Sequence, residues 1–71
     1  MSEEEQISRL KIEATTTIDK KILIGLVDTL ATFGNGPHRA QAIDVILFII
    51  GSEKDEGVTQ HTLDVIKRIK T

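Results

Sequence analysis

Lys11-Ile12-Glu13-Ala14-Thr15-Thr16-Thr17-Ile18 is the stretch on which the fold turns. Ile12, Ala14, Thr16 and Ile18 fall on one side of a period-two pattern, and Lys11, Glu13, Thr15 and Thr17 on the other. That alternation fits a half-buried strand. Three consecutive β-branched threonines lose side-chain freedom in a helix and suit a strand. The stretch therefore predicts a strand over 11–18. No second strand pattern follows it, and an isolated strand does not persist. Either the stretch is not a strand, or its pairing partner comes from another copy of the chain.

Downstream the pattern turns helical. Asp19 is a good N-cap for a helix over 20–33, since its carboxylate can accept from a free backbone N–H. Ile22, Leu23, Leu26, Leu30 and Phe33 share one face of that helix. Gly34 is placed to end it in a left-handed conformation. Gly34-Asn35-Gly36-Pro37 reads as a tight connection, with Pro37 at the first position of a helix over 37–50. The first half of this helix is mixed, with His38, Arg39, Gln41 and Asp44. From Val45 to Ile50 it is apolar all the way round, and such a helix must be covered on every side. The rest of a 71-residue chain offers cover for one or two faces. Symmetric self-association is the usual remedy. The expectation is an obligate homodimer, or a higher oligomer, with Ile43, Ile46, Leu47 and Ile50 at the dimer core.

At the two ends the signals are simpler. Residues 51–58 form a charged loop. Thr59 is placed to cap a helix over 60–70, with Val58 and Leu63 spaced as a hydrophobic staple. Leu63, Ile66 and Ile69 make a stripe opposite Gln60, His61, Asp64 and Arg68, so segment 59–71 reads as an amphipathic helix able to hold a protein partner. At the other end, Ser2 and Glu5 have capping-box spacing, and residues 1–10 read either as a short helix or as an acidic tail.

Composition narrows the function. The chain has 9 Lys and Arg against 11 Asp and Glu, a net charge of −2, and no cysteine. Disulfides, thiolate metal sites and nucleophilic thiols are excluded. With no Trp or Tyr and only two Phe, there is no aromatic platform for stacking bases. The uninterrupted apolar run from Val45 to Ile50 is far short of the roughly 20 residues that span a bilayer. The acidic start does not read as a signal peptide, so a cytoplasmic protein with no membrane role is expected. His38 and His61 have no metal-ligand spacing, and no nucleophile–base pair or phosphate loop is present. Neither an enzyme nor a cofactor is expected.

Strand, helix, turn, helix in an obligate dimer is an arrangement with a known solution, and the residues point the same way. Ala14-Thr-Thr-Thr-Ile-Asp19 resembles the strand and cap of the ribbon-helix-helix repressors. Arg39-Ala-Gln-Ala-Ile-Asp-Val-Ile-Leu47 is similar to that family's second helix. The resemblance spans about residues 11–50. It implies a two-stranded ribbon that enters the major groove of double-stranded DNA, with Lys11, Thr15 and Thr17 as base readers. It further implies a phosphate clamp at the start of the second helix, at Gly36, His38 and Arg39. Glu13 departs from that scheme, because it would face the phosphates from the outer side of the ribbon.

Two readings follow. In the first, the chain is mainly α, a ribbon-helix-helix-like dimer with an extra C-terminal helix, working as a transcriptional repressor or antitoxin-like regulator. The alternative is an all-α helical bundle dimer, a small protein–protein interaction protein that binds no DNA.

Overall fold

In the computed structural model, which describes the backbone of residues 2–70 and the side chains of 2–69, the chain forms four helices joined by short connections. They are α1 (Glu3–Thr16), α2 (Lys20–Ala31), α3 (Arg39–Ser52) and α4 (Glu56–Lys70). Among the described residues there is no strand. The ribbon expected over 11–18 is absent, and the ribbon-helix-helix-like architecture built on it falls with it. The four helices form an all-α bundle.

The reason lies on both sides of the threonines. Ser2 caps α1, its hydroxyl accepting from the Glu5 N–H at 3.2 Å, and three glutamates occupy the first turn, where the helix dipole favours them. From there a run of good helix formers carries the helix to the threonines, which occupy only its last turn. The hydroxyls of Thr15 and Thr16 both donate to the Ile12 carbonyl, at 2.7 and 3.2 Å. Such back-bonding satisfies a β-branched hydroxyl inside a helix. The true periodicity is Ile7, Leu10 and Ala14, turned toward the core. Ile12 and Ile18, the anchors of the alternating pattern, stand 62 % and 91 % exposed. Thr17 has left the helix as its extended C-cap.

Asp19 caps α2 as expected, accepting from the N–H groups of Lys21 and Ile22. α2 ends at Ala31, and a tight turn of i→i+3 bonds carries the chain through Gly34. Gly34 is not left-handed. It is buried, and a Cβ there would meet Ile69 Cγ1 at 2.8 Å and the Ala31 carbonyl at 3.1 Å. Close approach of α4, rather than helix termination, is what this glycine serves. α3 begins at Arg39 instead of Pro37, and α4 begins at Glu56, a full turn ahead of the start expected at Gln60 behind a Thr59 cap. The α4 cap is Asp55, whose carboxylate accepts from the Val58 N–H at 3.0 Å.

The helices run up, down, up, down. α2 and α3 each contact all three others, while α1 and α4 occupy opposite corners. Ile7, Val27, Leu30, Ala42, Val45, Ile46, Ile49, Val65, Ile66 and Ile69 form one core, with Leu10, Phe33, Ile43 and Ile50 packed against it. Thr62 is fully buried but donates to the Val58 carbonyl at 2.7 Å, and no buried side-chain polar atom among the described residues lacks a partner. The surface area is 4587 Å², against about 4,400 Å² for a compact monomer of this mass. A single chain therefore reaches the compactness of a monomer with its own four helices.

Candidate functional site

α3 is apolar on nearly every side, and the bundle covers only part of it. Ala42, Val45, Ile46 and Ile49 are buried, and Ile43 and Ile50 are half-buried against the core. Leu47 and Phe48 are 47 % and 41 % exposed. Of the four residues expected at a dimer core, Ile46 is thus consumed by the chain's own interior. Ile43 and Ile50 lie at its margin, and Leu47 faces outward.

Phe48 is the centre of the most distinctive corner of the surface. α1 runs parallel to α3 beside it, held by Gln41 Nε2, which donates to the Glu4 carbonyl at 3.3 Å and to Ser8 Oγ at 3.5 Å. This register places the Lys11 ammonium 5.1 Å from the centre of the Phe48 ring, within cation–π range. Beyond Phe48 an open cleft is lined by Ala14, Thr15, Thr17, Ile18, Leu23 and Phe48. Lys11, Thr15 and Thr17 do come together, as the expected base readers should. They do so on a helix end beside an aromatic ring, and not on a ribbon.

The floor of this corner is fixed by Glu53. One carboxylate oxygen accepts from Lys20 Nζ at 2.8 Å and from the N–H groups of Lys54 and Asp55 at 2.8 and 3.0 Å. The Lys20 hydrogen bond and these backbone donors hold its pKa down at about 2. Glu53 also ends α3, its own N–H donating to the Ile49 carbonyl. One side chain therefore ties the start of α2 to the α3–α4 joint.

The expected phosphate clamp has other occupations. Arg39 reaches across to α4 and donates to the Ile69 carbonyl at 3.1 Å, placing a cation at the negative end of that helix. His38 is the N-cap of α3 without a side-chain cap bond, and its ring lies 4.0 Å from the Glu3 carboxylate. Gly36 is exposed in the α2–α3 turn.

Along α4, Ile66 and Ile69 are buried in the core, and Leu63 alone remains exposed, at 38 %. The stripe expected to hold a partner packs mostly inside its own bundle.

Two polar pairs were not legible in the chain. His61 and Asp28, 33 residues apart, lie 2.7 Å from each other across α4 and α2, and Lys20 pairs with Glu53 over the same separation. Nothing local marks either pair, since both depend on how the helices stack. Among the described residues no three His, Cys, Asp or Glu side chains gather as a metal site would need, and no helix is long and apolar enough to cross a membrane.

No protein-family model, curated protein or solved structure matches this chain.

Proposed function

We propose that this chain is a small all-helical protein–protein interaction module, an adaptor or regulator that binds and does not catalyse, with the cytoplasm as its expected compartment. The observation that carries the reading is the pair Leu47 and Phe48. They stay 47 % and 41 % exposed, side by side on one helix, in a chain whose total surface is already that of a compact monomer of its mass. With Ile18 lining the cleft beside Phe48, they make an apolar surface rimmed by Lys11, Thr15 and Thr17. Adjoining exposed apolar side chains with a polar rim are the ordinary anatomy of a contact surface.

DNA reading by a ribbon is not part of this proposal, because the ribbon does not form. The net charge of −2 also sets the chain against a phosphate backbone.

The test is a photo-reactive phenylalanine analogue placed at position 48 in the cells that make the protein, with position 32, the exposed C-cap of α2, as control. Adducts of defined mass from position 48 and none from 32 are expected. Their absence, together with binding to a duplex pool that weakens steeply with salt, would overturn the reading in favour of DNA.

A further inference from the structure

The interaction reading leaves the partner open, and the outer face of α3 carries a pattern that selects one. Ala40, Asp44, Leu47, Phe48 and Gly51 are spaced i, i+4, i+7, i+8 and i+11, so they share one side of the helix, opposite the buried Ala42, Val45, Ile46 and Ile49. Asp44 and Gly51 lie at equal distances either side of the midpoint between Leu47 and Phe48. Resting on the interaction reading, we propose that the partner is a second copy of this chain, with its α3 laid antiparallel across a two-fold axis passing between Leu47 and Phe48.

The arrangement is self-complementary in three respects. An antiparallel two-fold brings Leu47 of each copy against Phe48 of the other, so the exposed apolar pair covers itself. It also sets Asp44 of each copy opposite Gly51 of the other, where no side chain stands in the way. Gly51 is in the last turn of a regular helix, without a left-handed backbone, and a Cβ there would meet nothing within 4 Å. The bundle does not require a glycine at this place, which leaves the helix surface there open to the close approach of a second helix.

The third respect is charge. Asp44 is the one ionised side chain among the five face residues. Lys11 stands over Phe48, and Lys54 follows Gly51 by three positions, its carboxylate neighbour Glu53 being already engaged by Lys20. The two-fold carries each Asp44 toward the Lys11 and Lys54 edge of the other copy, so the face is its own electrostatic complement. A second copy satisfies this pattern without any further assumption, and two-fold pairs are the commonest assemblies.

Area sets the strength. A standard interface takes about 800 Å² from each partner. That would be a sixth of the 4587 Å² available here. One helix face with its Lys11 and Thr15 flank lies at the small end, so the pair is dissociable, with a Kd on the order of micromolar.

Sedimentation equilibrium of the full chain over a wide concentration range tests this. The wild-type protein should pass from monomer to dimer. Gly51→Leu, placed where the chain has open space, should keep its helical circular dichroism and weaken the dimer at least about tenfold, the cost of a few lost contacts. Gly25→Leu has equally open space, on α2, and should dimerise like wild type. Asp44→Lys should weaken the dimer and should pair instead with copies carrying both Lys11→Glu and Lys54→Glu.

A dimer untouched by Gly51→Leu and Asp44→Lys overturns the proposal, because its contact is then elsewhere. So does a chain that stays monomeric throughout. In that last case position-48 adducts with a protein of different mass would keep the interaction reading and reject only the second copy. If no adducts form either, both readings fail.

Discussion

α3 and α4 are nearly equal in length and lie side by side, yet they treat their apolar residues in opposite ways. α4 has the clean amphipathic pattern, with Val58, Val65, Ile66 and Ile69 on one side and Gln60, Asp64, Lys67 and Arg68 on the other. Its buried stripe is taken up by the bundle, leaving only Leu63 partly exposed. α3 has hardly any pattern at all, being apolar in every direction from Val45 to Ile50, and it has a remainder. An amphipathic stripe identifies a helix that its own chain can satisfy. A helix that is apolar all round has more surface than three neighbours can cover, and the excess marks where the molecule meets something else.

The sharpest way to break this comparison is to truncate two adjacent residues of α3. Ile46 is fully buried, and Ile46→Ala should cost about 2–5 kcal/mol through lost burial and the cavity left behind. Leu47→Ala removes a side chain of the same volume from a half-exposed position and should cost the monomer under about 1 kcal/mol. Urea unfolding at concentrations low enough to keep the chain monomeric measures both. Equal losses would mean that Leu47 belongs to the core and that α3 has no free face.

Next in size is the seat of α4 on the α2–α3 turn. Gly34→Ala places a methyl 2.8 Å from Ile69 Cγ1 and 3.1 Å from the Ala31 carbonyl. The backbone oxygen cannot swing aside, so overpacking should destabilise by about 1–3 kcal/mol. Gly25→Ala, in open space within α2, should instead stabilise by about 0.5–1 kcal/mol, from helix propensity alone. Thermal midpoints moving in opposite directions would confirm the contrast, and a neutral Gly34→Ala would show that α4 is loosely seated.

How far the sequence could be read follows the same division between local and global. α2 was legible from Asp19 onward, because a cap and an apolar face are local signals, although Ile22, expected on that face, stands 50 % exposed. α3 and α4 were found with starts displaced by two and four residues, because Pro37 and Thr59 are plausible start residues that other residues outcompeted. Segment 11–18 was misread for a physical reason. Alternation over eight residues and three threonines outweighed the helix-forming run before them, and only the whole 14-residue α1 shows the threonines to be its last turn. The DNA reading depended on that strand, and its residues then acquired other contacts. Arg39 was half-legible, as a basic side chain at a helix start, but its acceptor at Ile69 lies 30 residues away. The exposed face of α3 was implied by a helix too apolar for one chain to cover, although which residues remain outside, Leu47 and Phe48, needed the packing.

The start of α4 gives a smaller effect. Asp55 and Thr59 compete for the role of N-cap, and the geometry assigns it to Asp55. Asp55→Ala should lower stability by about 1 kcal/mol, a typical value for a lost cap. Thr59→Ala, within the first turns of the helix, should lower it by less. A larger loss from Thr59→Ala would restore the shorter helix read from the sequence and move the end of α3 with it.

The smallest expected effect belongs to Glu53, the residue that joins the two helices. Its side chain is only 9 % exposed, while its partner Lys20 is about half exposed, so the pair is screened and modest in strength. Its ionised form is nonetheless favoured by folding, since its pKa falls from 4.5 to about 2. A carboxylate depressed by folding contributes stability that is fully present above its unfolded pKa and is lost as pH falls through its folded one. The Glu53 contribution should therefore be intact at neutral pH, decline below pH 4.5 and vanish near 2. Other carboxylates titrate over the same range, so the quantity to follow is the difference between wild type and Glu53→Gln. That difference should be constant from neutral pH to about 5 and close progressively in acid. Lys20→Met should reproduce part of it, because the backbone donors of Lys54 and Asp55 would still hold the carboxylate. A difference independent of pH would mean that the carboxyl group acts only through its shape and hydrogen bonds, and that its charge does not help to hold the α3–α4 joint against α2.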